Sequence, residues 1–262
     1  SNSMFPVSFF YLQSVIGKLT MKLLIAFDFD HTVVDDNTDI VVRKLVHDSK
    51  IPDFTREIFK KHGWTAYMRE IFKILRRNDV TPKKIVESVQ KIRPVSGMVE
   101  LFNFLKCNNC DVIIISDSNS VFISDWLKHY GLSDNVSAVF TNPAYFDESN
   151  LLHIEMYHEQ HSCKLSAINL CKGAILEQYI SDQSDKGVLF DVIAFVGDGK
   201  NDLCPSLRLK EKDLIFAREG YVLRDILTKP ESDHKASLHL WNTAYDIKKV
   251  LSSQVFHNTD LM

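Results

Sequence analysis

The sequence lacks an excess of either charge, an internal repeat and a low-complexity tract. Lysine and arginine total 31 against 34 aspartate and glutamate residues, so charge gives no reason to expect a nucleic acid or an anionic membrane as a partner. Nothing in the sequence identifies a protein partner. With 262 residues, of which 45% are hydrophobic, the chain can bury a sizeable core. We expect a globular protein that acts on a small molecule.

The chain also lacks a recognisable secretory signal, an even set of cysteines and a long hydrophobic run. An odd set of five cysteines is typical of reduced thiols, which predicts a cytoplasmic protein without structural disulfides. The apolar run at 4–16 is too short and too mixed to span a bilayer. Ser1–Ser3 resemble a cloning remnant, and Met21 is a plausible second start. We therefore treat residues 1–20 as an extension outside the fold.

Three apolar runs each lead directly into polar or acidic residues. They are KLLIAFDF at 22–29, CDVIIISDSNS at 110–120 and FDVIAFVGDGKND at 190–202. Continuous apolar runs are typical of parallel strands covered on both faces. In such sheets ligands bind at the carboxyl ends of the strands. The pattern predicts an α/β protein with a Rossmann-like parallel sheet, and two further runs, at 136–142 and 213–218, bring the sheet to about five strands.

The stretch from about 40 to 92 has a different pattern, with apolar residues at helical spacing and no strand-like run. It predicts a small helical cap domain at 38–95, inserted into a core domain formed by 21–37 and 96–262. Within the core we expect a helix at 121–132, capped by Asp117 or Ser118 and stopped at Gly131. Other expected elements are helices at 97–106 and 242–253, a helix start at Ser166, and a loop at 228–237 joining the last two helices.

The motif DFDHT places Asp28, Asp30 and Thr32 at alternate positions after the first strand. This spacing keeps the two carboxylates on one side of an extended chain. Two carboxylates would repel an anionic phosphate ester unless a cation lay between them. We therefore expect bound Mg²⁺, which prefers carboxylate, carbonyl and phosphate oxygens.

The other strand ends supply the remaining chemistry. GDGKND offers Asp198 as a further metal ligand, with Asp202 to ligate or orient. Ser116 offers a hydroxyl next to the backbone N–H groups of a helix start, an arrangement that binds anions. Lys172 can supply positive charge to a phosphoryl oxygen in the transition state.

DFDHT, ISDSN, a lysine and GDGKND follow in the order of the four motifs of the haloacid-dehalogenase superfamily. The segments FDFDHTVVDDNTD, IIISDSNSVFI, NLCK and VGDGKNDLCP resemble more closely the phosphoethanolamine/phosphocholine phosphatase family, especially its pyridoxal phosphate phosphatase-like branch. This resemblance implies that Asp28 is the nucleophile and Asp30 the general acid and base. It also implies that Mg²⁺ is held by Asp28, the Asp30 backbone carbonyl and Asp198.

The resemblance further implies that Asp39 and Asp117 hold a cationic amine substrate. Carboxylates and aromatic faces stabilise such a headgroup, although Asp39 could instead be a plain helix N-cap. We also expect Thr32 and Asn119 among the substrate contacts. His31 occupies a variable position of the family and receives no catalytic role.

A further group, His158, His161, Cys163 and Cys171, contains metal-ligating residue types. Their spacing does not match a zinc finger, and this chain has fewer cysteines in this segment than the family usually carries. We interpret them as structural histidines and buried thiols.

These features predict a magnesium-dependent phosphatase that hydrolyses pyridoxal 5'-phosphate, phosphoethanolamine or phosphocholine through a phosphoaspartate. The choice among them depends on how Trp64 and Tyr67 face the site. Two alternatives stay open: the same fold acting as a phosphotransferase or pyrophosphatase, and a non-catalytic binding module.

Overall fold

A computed structural model describes residues 21–256, and the predicted extension at 1–20 lies outside them. The described chain contains six parallel strands in one sheet, with the order β3-β2-β1-β6-β7-β8, and a separate antiparallel hairpin, β4-β5. The strands are β1 Leu23–Phe27, β2 Asp111–Asn119, β3 Ala138–Asn142, β4 Ala144–Phe146, β5 Leu152–Ile154, β6 Val192–Gly197, β7 Leu214–Arg218 and β8 Ser237–Trp241.

Helices connect the strands and cover the sheet. They are α1 Thr38–Arg43, α2 Phe54–Arg77, α3 Pro82–Gln90, α4 Met98–Cys107, α5 Ser120–His129, α6 Lys172–Asp185, α7 Leu203–Arg208, α8 Val222–Leu227 and α9 Ala244–Gln254. The prediction of an α/β fold with a parallel, Rossmann-like sheet is confirmed.

The central strand β1 explains why the sheet has helices on both faces. All five of its residues are buried, and their side chains alternate between two hydrophobic clusters. Leu23, Ile25 and Phe27 belong to one cluster, and Leu24 and Ala26 to the other. Because successive side chains of a strand point to opposite faces, a run without polar residues requires a cover on each side.

The sheet has one strand more than the sequence pattern predicted. Part of the expected loop at 228–237 and the residues after it form β8, an edge strand paired with β7. Four of its five residues are exposed or half-buried, so it carries no continuous apolar run. An edge strand pairs with one neighbouring strand and is only partly buried, so it does not need a continuous apolar run. The search for such runs therefore did not predict β8.

Helix starts also differ from the prediction. Asn119, rather than Asp117 or Ser118, caps α5, because its side chain accepts a hydrogen bond from the Phe122 N–H. The expected helix start at Ser166 is wrong, since α6 begins at Lys172 itself. Gly131, in the left-handed region with φ of 67°, follows α5 as expected for a helix stop.

Between β1 and β2 the chain forms α1, α2, α3 and α4, with no strand of the sheet. Asn37, not Asp39, caps α1, so the simple capping role weighed for Asp39 does not apply. Helix α2 is interrupted at Gly63, whose φ of 84° and ψ of −177° are not helical. Only glycine adopts this conformation readily, and it turns the segment that begins with Trp64. No helix among residues 21–256 is long and apolar enough to cross a membrane.

The strand order places the carboxyl ends of β1 and β6 at the centre of the sheet. From β1 the chain moves outward through β2 and β3, and it then returns to the other side of β1 through β6. Ligands of open parallel sheets bind where the strand order reverses in this way. Asp28 directly follows β1, and Asp198 directly follows β6.

Candidate active site

A cavity of about 140 Å³ opens at this reversal point. Its walls combine the ends of three strands with residues of the helical segment between β1 and β2. The predicted site residues that line it are Asp28, Asp30, Asp39, Ser116, Asp117 and Asp198. Trp64 lines the same cavity, so the aromatic side chain that the sequence could not orient faces the site.

Lys172 connects two buried carboxylates: Asp28, which lines the cavity, and Asp202, which like Lys172 itself is not among the lining residues. Its Nζ lies 2.8 Å from Asp28 Oδ1 and 2.7 Å from Asp202 Oδ1, and its side chain is 1% exposed. Burial alone lowers the pKa of Lys172, but the carboxylates of Asp202 and Asp28 outweigh that effect and raise it. The lysine is therefore a fixed positive charge next to Asp28. Its position is set by the start of α6, of which Lys172 is the first residue.

The pKa of Asp28 is raised as well, but for a carboxyl group this disfavours the charged form. Burial and the nearby carboxylates of Asp202 and Asp198 raise its pKa well above the usual value, although Lys172 opposes them. Its Oδ1 also accepts a hydrogen bond of 2.6 Å from the Phe29 N–H. These contacts fix the orientation of the carboxylate at the cavity wall.

Asp202 organises the GDGKND loop from behind. Its Oδ2 accepts hydrogen bonds of 2.9 Å from the N–H groups of Asp198 and Gly199. A Cβ at Gly197 would lie 2.4 Å from the same Oδ2. Because Gly197 has no side chain, the backbone of the loop can pack directly against the Asp202 carboxylate.

Asp30 is half-buried and is held by a residue from the next helix. Its two carboxylate oxygens accept hydrogen bonds from the N–H and hydroxyl of Thr38, at 2.9 and 3.3 Å. Desolvation and the charge of Asp39 raise the pKa of Asp30 to about 7, although the Thr38 hydrogen bonds lower it. A carboxyl with a pKa near neutrality can both give and take a proton under physiological conditions.

Asp198 faces Asp28 across the ends of the two central strands. Burial and the charge of Asp202 raise the pKa of Asp198 to about 7. Carboxylate oxygens of Asp28, Asp198 and Asp202 lie within 4.8 Å of one another. The ammonium group of Lys172 forms ion pairs with two of these three carboxylates. The oxygen donors and the excess of negative charge fit a hard divalent cation.

Two residues expected to touch the substrate lie behind the cavity wall. Thr32 is fully buried, and its hydroxyl donates to Asp198 Oδ1 at 3.2 Å. Asn119 is fully buried as well, with its Oδ1 used to cap α5. Neither is among the residues that line the cavity, because Thr32 lies in the turn after Asp30 and the Asn119 side chain is directed to the start of α5.

The end of β2 presents Ser116 and Asp117. Ser116 is buried, and its Oγ accepts a hydrogen bond from the Ser118 N–H. The Asp117 carboxylate is held between two amides, with Asn169 Nδ2 at 3.0 Å and Asn201 Nδ2 at 2.6 Å. This geometry fixes Asp117 at the cavity but also occupies both of its oxygens.

Asp39 of α1 and Trp64 of α2 both line the cavity and are joined by a hydrogen bond. Trp64 Nε1 donates to Asp39 Oδ2 at 2.6 Å. The other oxygen, Oδ1, is buried without a hydrogen-bond partner. Burial raises the pKa of Asp39 to about 7, with a smaller contribution from the charge of Asp117. An unpaired buried carboxylate oxygen beside an aromatic ring suits a cationic group.

Sequence reasoning missed the residues that hold the predicted ones in place: Thr38, Asn169 and Asn201. Each contacts a site carboxylate from a distant part of the chain or from another element. Asn169 and Asn201 do lie inside the segments NLCK and GDGKND, so their polar side chains at those places were the available signal. Their partners could not be read from spacing.

Of the four residues considered for a metal group, the two cysteines lie together and the two histidines have other partners. His161 is exposed and pairs with Glu159, and His158 Nε2 accepts the Cys171 N–H at 2.8 Å. Cys163 and Cys171 instead approach Cys204, which the sequence analysis had not grouped with them.

Solved structures of similar architecture include a phosphatase and a hydrolase. A substrate-bound phosphoserine phosphatase superposes with a TM-score of 0.56 at 21% identity, covering 88% of this chain and 98% of that one. A HAD family hydrolase from Salmonella enterica serovar Typhi gives a TM-score of 0.61 at 16% identity, covering 93% and 74%. At these identities the likeness shows a shared fold.

Sequence comparison is more specific. The family model described as "Putative Phosphatase" matches residues 23–255. Pyridoxal phosphate phosphatase PHOSPHO2 of Mus musculus is 40% identical over 233 residues, covering 87% of this chain and 96% of the relative. The human phosphoethanolamine/phosphocholine phosphatase is 31% identical over 254 residues, covering 93% and 95%. The chain belongs to this phosphatase family of the haloacid-dehalogenase superfamily and is a phosphoric monoester hydrolase.

Proposed function

We propose that the protein is a magnesium-dependent phosphatase that transfers the phosphoryl group of a small ester first to Asp28 and then to water. The observation that carries this proposal is the buried ion pair of Asp28 and Lys172, at 2.8 Å. Asp28 lines the cavity together with Asp30. A volume of about 140 Å³ supports a small substrate, since most of a macromolecule would remain outside.

In the first step Asp28 attacks phosphorus in line with the leaving oxygen, and the bond between phosphorus and that oxygen breaks. Asp30, when protonated, gives its proton to the leaving oxygen, which departs as an alcohol. A pKa of about 7 supports this use of Asp30, because a large fraction carries the proton at neutral pH.

In the second step water attacks the phosphorus of the phosphoaspartate, and the bond to Asp28 breaks. Asp30, now ionised, accepts the proton of the attacking water, so inorganic phosphate leaves and both carboxyl groups return to their starting states. Lys172 and Ser116 hold the phosphoryl oxygens in both steps.

Asp28, the backbone carbonyl of Asp30 and Asp198 are the proposed ligands of Mg²⁺. When bound, the ion neutralises charge on the phosphoryl oxygens and on the carboxylates. Asp202 orients Lys172 and the loop of Asp198, as its contacts with both support. Thr32 supports Asp198, and Asn119 supports the start of α5, rather than contacting the substrate.

For the substrate we propose an ester with a cationic amine headgroup or pyridoxal 5'-phosphate, the classes named for the relatives. The buried carboxylate of Asp39 beside Trp64 supports an amine-binding pocket. We propose residues 38–95 as a cap domain over a core of 21–37 and 96–262, because its helices bring both residues to the cavity. Five unpaired cysteines support a reducing compartment such as the cytoplasm.

Release of inorganic phosphate from a panel of small monoesters tests the reaction and its metal. With Mg²⁺ we expect release from pyridoxal 5'-phosphate or the phosphoamines, and after chelation we expect it to fall by at least about 100-fold, because the carboxylates would then repel the substrate. Restored activity on adding Mg²⁺ is the control. Undiminished hydrolysis in chelator would overturn the metal assignment.

The same panel separates hydrolysis from the alternatives. A phosphotransferase would release less free phosphate than the substrate it consumes. Release from pyrophosphate but from no monoester would favour a pyrophosphatase. A binding module would release none while retaining ligand binding.

The headgroup role of Asp39 is tested with Asp39→Asn, which keeps the shape of the side chain. We expect KM for phosphoethanolamine and phosphocholine to rise about tenfold, the loss of one charge-assisted contact, with KM for pyridoxal 5'-phosphate little changed. The assay belongs at pH 8, where a carboxyl with a pKa of about 7 is mostly ionised. Asp53→Asn, at an exposed position of the same segment, is the matched control. Equal losses on both substrate classes would remove Asp39 from the headgroup pocket.

A further inference from the structure

Three cysteine sulfurs meet on the side of α6 that faces α7, close to the candidate active site. Cys204 Sγ lies 3.4 Å from Cys163 Sγ and 3.7 Å from Cys171 Sγ. All three sulfurs are within 4.8 Å of one another. Cys171 and Cys204 are buried and Cys163 is half-buried, so the cluster is part of the protein interior with one side toward the surface.

These separations suit a metal site better than a disulfide. A tetrahedral zinc site with Zn–S bonds of about 2.3 Å places neighbouring sulfurs about 3.8 Å apart. A disulfide requires sulfurs about 2.05 Å apart. The three sulfurs therefore have the spacing of one face of a tetrahedron, without a bond between any two of them.

Surrounding residues adapt the protein to this cluster. A Cβ at Gly173 would lie 2.7 Å from Cys204 Sγ, so the glycine lets the sulfur approach the first turn of α6. Arg208 places a guanidinium nitrogen 3.7 Å from Cys171 Sγ, where it can offset the excess negative charge of three thiolates on a divalent ion. Ser166 Oγ lies 3.4 Å from Cys163 Sγ, on the half-buried side.

We propose that Cys163, Cys171 and Cys204 bind one zinc ion as thiolates, with a water molecule beside Ser166 as the fourth ligand. On binding, each thiol loses its proton to solvent. Soft thiolate ligands select zinc over Mg²⁺, whose preference is for oxygen. The site is thus separate in chemistry from the carboxylate cluster of Asp28, Asp198 and Asp202.

The position of the cluster gives the ion a structural role. Cys171 directly precedes Lys172, and Cys204 follows Asp202 by two residues. Cys163 belongs to the segment before α6, which has no helix or strand of its own after β5. The ion would tie this segment to α7 and so fix the Lys172–Asp202 pair from outside the cavity. The inference does not depend on the proposed function.

The test begins with the metal content of the full chain, purified under reducing conditions without a metal-affinity step and with Mg²⁺ present. We expect about one zinc per chain by elemental analysis after gel filtration, and about one released when a mercurial reagent titrates the thiols. In protein stripped of zinc, equimolar Zn²⁺ should raise the thermal midpoint of unfolding.

Variants localise the ion. Cys163→Ser and Cys204→Ser should each lose the zinc and the Zn²⁺-dependent rise of the midpoint, whereas Cys107→Ser, at an exposed cysteine, should keep both. Since Cys163 is only half-buried, its variant remains informative if Cys204→Ser does not fold. Folded wild-type protein that contains no zinc and gains no stability from it would overturn the proposal. A disulfide joining any two of the three cysteines would do the same.

Discussion

Replacing Asp28 with asparagine is expected to lower turnover by at least about 10⁴-fold, the scale seen when a catalytic nucleophile is removed. The amide has nearly the shape of the carboxylate, yet it cannot attack phosphorus and then leave again. Phosphate trapped on the wild-type protein by acid quenching during turnover should be absent from the variant. Steady-state phosphate release and this trapping measure the effect directly.

The variant should keep its fold. Burial and neighbouring carboxylates disfavour the charge of Asp28, so a neutral amide removes repulsion, while Lys172 retains Asp202 as a partner. We expect a midpoint of unfolding within about 2 °C of the wild type, a change of less than about 1 kcal/mol. Asp79→Asn, at a side chain that is 95% exposed, is the matched control. Substantial turnover by folded Asp28→Asn protein would refute the nucleophile assignment.

Replacing Lys172 with methionine is expected to produce the largest loss of stability. Methionine fills similar space but leaves the carboxylates of Asp28 and Asp202 buried without their cation. Removing one partner of a buried ion pair costs about 3–5 kcal/mol, which for a chain of this size lowers the midpoint of unfolding by about 10 °C or more. The measurement should be made in chelator, because a bound cation would partly replace the lysine.

Two further variants separate lost charge from lost packing. Lys186→Met, at the exposed end of the same helix, should leave the midpoint nearly unchanged. Adding Asp202→Asn to Lys172→Met removes one uncompensated charge and should recover part of the lost stability. If the double variant is less stable than Lys172→Met by the full cost of a second independent lesion, the two residues do not act as a pair.

Both expectations concern one network of buried charge. Lys172 holds Asp28, which faces the cavity, and Asp202, which holds the backbone of the loop bearing Asp198. Arrangements of this kind preorganise a site, since the charges that stabilise a transition state are already in place before the substrate arrives. Asp28 takes part in the reaction, whereas Lys172 balances the charge of two buried carboxylates. Activity and stability are therefore expected to respond most strongly to different substitutions.

Much of the fold could be predicted because its strands are buried on both faces. The runs that became β1, β2 and β6 are continuous and apolar, a pattern that few other structures produce. The edge strand β8 and the short hairpin of β4 and β5 lack such a pattern, since each is only partly covered. Their pairing depends on neighbours that a local window does not contain.

The same distinction applies to helix ends. A side chain caps a helix only when the backbone turns at that residue, so the candidates Asp117, Ser118 and Asn119 look alike in sequence. In the structure, β2 extends through Asn119, and the first free N–H groups of α5 then face its side chain. Ser166 failed as a helix start for the same reason, because the chain remains irregular until Lys172.

The sequence by itself determined which residues stand at the strand ends: Asp28, Asp30, Ser116 and Asp198. Their motifs are local, and a parallel sheet necessarily brings its carboxyl ends together. Only the tertiary structure decided that Trp64 contacts Asp39, that Thr38 holds Asp30 and that Cys204 joins Cys163 across 41 residues. These contacts depend on how separate helices and strands pack together. The spacing of residues along the chain does not show how far apart their side chains lie in the folded protein.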